Sequence, residues 1–263
     1  MVVAAAVLLL VMGVFGRAAG RWFGGGGPRR SSQCMASAGS GTFSLDREQA
    51  RNATTIAAVA KRMGLANHAV TVGLAAGLQE SKLRNLTYGD RDSVGLFQQR
   101  PSQGWGTRRQ ILVPSYAARA FFSRLVQLPG WESLPVTEAA QAVQRSGAPA
   151  AYAQWDQPSR ILAQALTGEV AAGFTCRLPV ASGGLRQGAL TNAEHVELGV
   201  PGTGVRVTPA RGWTVAGWLI GHAADYGVTT VDFSGHRWSA RTGAWAPLGR
   251  AVPDPEVVAV NGA

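Results

Sequence analysis

Lysine is nearly missing from this chain of 263 residues: of its 25 basic residues only Lys61 and Lys82 are lysines, and the rest are arginines. Long apolar runs are missing too. The one candidate, Met1 to Gly16, is shorter than the roughly 20 residues a membrane-spanning helix needs, which excludes a multi-span transporter. No internal repeat is visible. Among the four histidines, His195, His222 and His236 lack close ligand spacing and no cysteine stands near them, so no metal and no cofactor is expected. Cysteine itself occurs twice, at Cys34 and Cys176, and no lipobox-like leucine precedes Cys34.

What is present supports a folded, exported protein. Apolar residues make up 46% of the chain, and the length suits one good-sized domain with a smaller one. The net charge of +10 attracts anionic partners, among them nucleic acid, acidic lipid or the polyanions of a bacterial wall, or serves solubility alone. The arginines are dispersed rather than gathered on one face, which argues against nucleic acid. Residues 1–16 read as a secretory signal or an uncleaved membrane anchor, with Arg17, Arg21, Arg29 and Arg30 behind them. Ala36-Ser37-Ala38 has the form of a cleavage site but lies far from that segment. In an exported protein two cysteines favour a Cys34–Cys176 disulfide that ties the ends of the intervening region, two unpaired thiols being the alternative.

Composition divides the chain. Residues 17–42, with four consecutive glycines and Pro28, read as a flexible linker. Asp46 with Gln49 forms a capping-box pattern, followed by Ala50, Ala53, Ala57 and Ala60 at helical spacing until Gly64. A second helix starts after Asn67 and carries Glu80 near its end. Residues 84 to 109 read as an ordered loop. Further helices are expected at about 114 to 127, 137 to 145 (capped by Thr137) and 158 to 167 (Pro158 in the first turn). The helical domain thus covers 43–170, a second glycine-rich linker 171–191, a small α+β module 192–250 and a tail 251–263. In the module Trp213 to Tyr226 reads as a helix, Val228 to Phe233 as a strand, Ser234-Gly235 as a turn and His236 to Ala240 as the returning strand.

Glu80 is the residue with chemistry in prospect. A carboxylate at a helix C-terminus meets the negative end of the helix dipole, which disfavours ionisation, and apolar surroundings raise its pKa further. A general acid that stays protonated near neutral pH needs such a setting. Gly73, Ala76 and Gly77, one or two turns back, are expected to leave room beside it for a bulky substrate. On these grounds alone a solvated surface glutamate would be the ordinary reading.

Glu80-Ser81, then Gly95-Leu96-Phe97-Gln98 fifteen residues later, with Pro101 beyond, resemble the soluble lytic transglycosylase and goose-type lysozyme superfamily. There a Glu-Ser pair precedes a Gly-Leu-Met/Phe-Gln motif at about this distance. A third family element, Ala-Tyr-Asn-Ala-Gly, falls where this chain has Ala142-Val143-Gln144-Arg145-Ser146-Gly147. The resemblance spans about 44 to 168 and implies a mainly α, lysozyme-like domain that cleaves peptidoglycan glycan strands without a cofactor. It implies Glu80 as the acid, with Ser81, Gly95 and Gln98 at the substrate or ordering the loop around it. It also places Gln144 where the family has asparagine, and Tyr152 as the aromatic contact that Val143 does not supply. The alternative it leaves is a non-catalytic wall-binding or scaffolding protein of the same fold.

Ordinary glycosidases use two carboxylates; family lytic transglycosylases use one, with the substrate's acetamido group and C6 hydroxyl completing a 1,6-anhydro product. Asp90 and Asp92 are the candidates for a second carboxylate, against a reading as local salt bridges and turn caps. Trp105, flanked by Gly104 and Gly106, is the leading sugar platform, with Trp131 and Trp155 behind it; burial in the core is the competing reading for all three. Ala216 to Trp245 resembles a small domain appended to actinobacterial cell-wall hydrolases, through Trp218, His222-Ala223, Tyr226-Gly227-Val228 and Gly235-His236-Arg237-Trp238. The expected location is outside the cell, secreted or anchored on the outer face of the cytoplasmic membrane. Its partners are peptidoglycan strands and, through charge, anionic wall polymers; the membrane is met only through the N-terminal segment.

Overall fold

A computed structural model describes residues 33–39, 41–145, 149–179, 183–249 and 254–262. The apolar segment 1–16, the glycine-rich 17–32 and Ser146-Gly147 lie outside the described residues. Among those described, no helix is long and apolar enough to cross a membrane.

The first helix, α1 (Arg47–Arg62), starts where its capping box dictates. Asp46 Oδ1 accepts from the Gln49 amide at 3.0 Å, and Gln49 Oε1 accepts from the Asp46 amide at 3.0 Å. Gly64, with φ +73°, turns the chain into α2 (Asn67–Ser81). Every residue of α2 from Ala69 to Leu78 is buried, so this helix has no solvent face over most of its length. It is the central helix: α1, α4 (Pro114–Leu125), α5 (Val136–Gln144) and α6 (Asp156–Leu166) pack around it. Between α2 and α4 lie an irregular loop, a 3₁₀ turn at Pro101–Gln103 and the short α3 (Arg108–Ile111). Thr137 sits inside α5 rather than capping it, since Val136 is already helical.

The structure is mixed α+β, with two small antiparallel sheets among the described residues. The first is β1 (Gln33–Ala38), β2 (Gly41–Leu45) and β3 (Phe174–Arg177), in the order β2-β1-β3. All three strands fall within or overlap segments whose composition reads as linker. β1 alternates exposed and buried positions, and its inward Cys34, Ala36 and Ala38 are too small to give a strong hydrophobic signal. Cys34 pairs directly with Cys176 across β1 and β3, and the two form a disulfide.

Three more helices follow, α7 (Gln187–Glu197), α8 (Pro209–Gly221) and α9 (Ala223–Tyr226), and then the second sheet. Its strands are β4 (Val228–Phe233), β5 (His236–Ser239), β6 (Ala244–Pro247) and β7 (Ala259–Gly262), in the order β6-β5-β4-β7. The hairpin β4–β5 turns at Ser234-Gly235 as its sequence predicts. β7 lies in the stretch read as a tail, and its pairing with β4 makes it part of the sheet.

The described residues form one compact unit, and a single apolar core runs through it. Helix α8 lies against α1 so closely that a Cβ on Gly221 would stand 2.4 Å from Thr54 Oγ1. Glu197 Oε2 accepts from the Thr55 hydroxyl at 2.8 Å and from Trp218 Nε1 at 2.7 Å, which joins α7, α1 and α8 through one carboxylate. Trp238 Nε1 donates to Thr175 Oγ1 at 3.1 Å and Trp245 Nε1 to the Phe174 carbonyl at 2.9 Å, so the second sheet is fastened to β3 of the first.

Candidate functional site

Glu80 stands one residue before the end of α2, where the chain reverses. Lys82 and Leu83 both adopt left-handed backbone conformations, at φ +56° and +61°. The Leu83 amide donates to the Gly77 carbonyl at 3.0 Å, six residues back, which closes the helix. Two successive non-glycine residues in this region cost on the order of 1 kcal/mol or more each, and burial of Leu83 offsets that cost. A Cβ on Gly77 would meet Leu83 Cδ2 at 2.9 Å, and one on Gly73 would meet Phe122 Cζ at 2.7 Å. The space beside these glycines, expected to admit substrate, is therefore filled by the protein's own core. Small residues are there so that α2 can be packed on every side.

The Glu80 carboxyl itself is partly buried and hydrogen-bonded. Tyr152, in the 3₁₀ segment Pro149–Trp155, is fully buried and its hydroxyl donates to Glu80 Oε1 at 2.5 Å. The Gln144 side chain also hydrogen-bonds Glu80, and its Nε2 donates to the Phe97 carbonyl at 2.8 Å. Burial pushes the carboxyl above its ordinary value; the bonds from Tyr152 and Gln144 and the nearby Lys82 charge oppose this but do not cancel it. The result is an acid that holds its proton to higher pH than a free glutamate.

A second layer of contacts positions this group. The Ser81 hydroxyl donates to the Leu96 carbonyl at 2.7 Å and accepts from the Arg84 amide at 3.1 Å. Ser81 is buried, and its hydroxyl binds the helix end to the loop rather than facing a ligand. Gly95, at φ +79°, has its close approach to the Ile111 carbonyl, which a Cβ would meet at 2.9 Å. That contact and the positive φ together require glycine here. Gln98, at φ +47°, donates from Nε2 to the Gly95 carbonyl at 3.1 Å and so orders its own loop. Phe97, between them, is buried and stacks on Phe121 with centroids 4.8 Å apart.

The two aspartates are otherwise engaged. Asp92 accepts from Arg100 Nε at 2.7 Å, the Ser102 amide at 2.8 Å and the Ser102 hydroxyl at 3.0 Å. These bonds, the backbone one first, hold its carboxyl far below the usual carboxylate range. Asp90 projects into solvent, with 90% of its side chain exposed and Arg91 Nε 3.9 Å away. Both match the turn-and-salt-bridge reading more closely than that of a second reacting carboxylate.

Of the tryptophans, Trp105 is buried, and the Arg124 guanidinium lies 3.4 Å above its ring. Trp131 is buried and stacks against His68. Neither offers a free face as large as the sugar-platform reading needs. Trp155 is partly buried and is the one tied to the acid: its Nε1 donates to Gln79 Oε1 at 2.8 Å, and Lys82 Nζ stands 4.3 Å from its ring centre. Gln79 and Lys82 are not singled out by the sequence motifs; their adjacency to Glu80-Ser81 is the one sequence signal that could have found them.

The site thus gathers Glu80, Lys82, Gln144, Tyr152 and Trp155 around the end of α2, supported by Ser81, Gly95 and Gln98. Chemically it can donate a proton from Glu80, take it back, and present an aromatic ring and an ammonium beside it. No family model matches this sequence, and no curated protein is similar enough to it to count as a relative.

Proposed function

We propose that this protein is a lysozyme-like enzyme that cleaves peptidoglycan glycan strands between N-acetylmuramic acid and N-acetylglucosamine. The observation that carries the reading is the Glu80 carboxyl, partly buried, raised in pKa and held by the Tyr152 hydroxyl at 2.5 Å. The bonds from Tyr152 and Gln144 fix the position of the carboxyl, and burial keeps it protonated to higher pH. Glu80 protonates the glycosidic oxygen as the bond from C1 to that oxygen breaks.

With Asp92 committed to Arg100 and Ser102, and Asp90 in solvent, one carboxylate serves the whole reaction. The substrate's acetamido oxygen supports C1 in the interval. The Glu80 carboxylate then removes the C6 hydroxyl proton as O6 closes on C1, which regenerates the acid and leaves a 1,6-anhydro end. The protein works outside the cell, where the substrate is, exported or anchored by residues 1–16. Mass spectrometry of fragments released from purified cell walls tests this, because an anhydro end is one water lighter than a reducing end. Soluble anhydro-ended muropeptides are expected. Reducing ends would make the enzyme hydrolytic, and sedimentation with walls without any release would favour a non-catalytic wall binder.

A further inference from the structure

A cavity of about 630 Å³ opens where the junction of α1 and α2 meets the connection from α7 to α8. Its size falls in the range of small-molecule sites. Lys61, Arg62 and Arg211 line it, with Asn67, Thr208 and Val200, and no carboxylate is among its lining residues. Several arginines elsewhere are paired with acids. Arg84 meets Asp46 and Glu48, Arg100 meets Asp92, Arg237 meets Asp232, and Arg206 meets Asp254 and Glu256.

At the cavity the hydrogen-bond partners are neutral. Arg211 donates to the Leu198 carbonyl at 2.8 Å, Arg62 to the Val196 carbonyl, and Lys61 to the Leu65 carbonyl at 3.0 Å and Asn67 Oδ1 at 2.8 Å. The acid that faces Lys61, Glu169, is bound by Asn67 Nδ2 at 2.6 Å and does not line the cavity. Burial lowers the pKa of Arg211 and of Lys61; for Lys61 the Glu169 charge opposes this, and the Arg211 charge adds a smaller lowering. Lys61 and Arg211 are partly buried side by side, and a further anion in the cavity would offset the cost of that burial. The Arg62 stem is wedged against Gly199, whose Cβ would stand 3.0 Å from Arg62 Cγ, so that side chain is directed by packing.

We propose that this cavity binds a phosphate group carried on a small organic body. Two guanidinium forks and an ammonium provide the donors and the charge for a phosphate monoanion or dianion. The cavity is far larger than a bare ion, which leaves space for the group that carries it. A phosphomonoester metabolite and the phosphodiester unit of a polymer present the same chemistry here. This site shares no residue with the Glu80 cluster and does not depend on the activity proposed for it.

Isothermal titration of the full-length protein with glycerol 3-phosphate, inorganic phosphate and poly(glycerol phosphate), each matched in ionic strength with sodium chloride, tests the assignment. Glycerol 3-phosphate is expected to bind more tightly than inorganic phosphate. A polymer that binds in place of the monoester identifies the phosphodiester as the source. Arg211→Gln and, separately, Lys61→Met should each weaken binding at least tenfold. Arg119→Gln, exposed on α4, and Glu80→Gln should leave it unchanged. The proposal fails if no phosphate compound binds above the chloride control, if either cavity variant that remains folded binds as the parent does, or if Arg119→Gln weakens binding equally.

Discussion

The Tyr152 hydroxyl and Glu80 Oε1 lie 2.5 Å apart, although 72 residues separate them in the chain. The bond joins the end of the central helix α2 to a 3₁₀ segment beyond α5, and both groups are withdrawn from bulk water. A hydrogen bond to a charged partner contributes about 1.5–3 kcal/mol, so this contact opposes a real part of the upward shift that burial imposes on Glu80.

Tyr152→Phe removes that bond and keeps the ring. Because the hydroxyl stabilises the carboxylate form, its loss moves the Glu80 pKa further up. A reaction that needs protonated Glu80 loses rate as pH rises through that value. The alkaline limb of the pH–rate profile is therefore expected at higher pH in Tyr152→Phe than in the parent. Maximal turnover should fall by roughly 10- to 100-fold, since Tyr152 no longer holds the acid in place. A profile that moves to lower pH would contradict the assigned role.

The same shift has a stability signature. A glutamate whose folded pKa lies above its unfolded value contributes stability at low pH, fully present below its ordinary range of about 4. That contribution is lost as pH rises through the folded value. Thermal melts of the parent and Glu80→Gln across this range should show the parent losing ground relative to the variant as pH increases. Parallel curves would mean that Glu80 is not perturbed.

Ser81→Ala should uncouple α2 from the loop that carries Gly95 to Gln98. The Leu96 carbonyl loses its donor, and the Arg84 amide keeps only the Ser81 carbonyl at 3.2 Å. A loss of about 1–3 kcal/mol in chemical denaturation is expected for such a buried site. Gly77→Ala should cost a similar amount, about 1–3 kcal/mol, because the added methyl meets Leu83 at 2.9 Å.

The Cys34–Cys176 bridge closes a loop of 142 residues. Loop-closure entropy for that length gives about 5 kcal/mol as an upper estimate of its stabilisation. Reduction, or the double change Cys34→Ser with Cys176→Ser, should lower the melting temperature by many degrees. An unchanged melt would show that the β2-β1-β3 sheet holds those strands unaided.

Legibility in the sequence followed signal strength. The capping box at Asp46 and Gln49, the helices around Glu80 and the β4–β5 hairpin were readable, because caps, helical spacing and a Ser-Gly turn are local codes. The strands β1 and β3 were not. Their identity rests on pairing across more than a hundred residues, and Gly/Ser/Ala neighbours make them look like linker. Glu80 was singled out by its motif; Tyr152 was expected as an aromatic contact, whereas its hydroxyl is what touches the acid. For Gln98 the sequence leaves substrate contact and loop ordering open, and its bond to the Gly95 carbonyl shows the second; Gly95 reads toward a ligand, and its positive φ also serves the loop. A motif of polar residues and glycines does not distinguish contact with a ligand from contact with one's own main chain.

Glu80→Gln offers the most direct measurement: release of soluble muropeptides from purified peptidoglycan, parent against variant, at equal far-ultraviolet circular dichroism. The glutamine is isosteric and can still accept from Tyr152, but has no proton to give. Anhydro-ended fragments are expected from the parent, with release from Glu80→Gln lower by at least a thousandfold, on the scale of a lost catalytic acid. Release by the variant at the parent's rate would contradict the assignment of Glu80 as the acid.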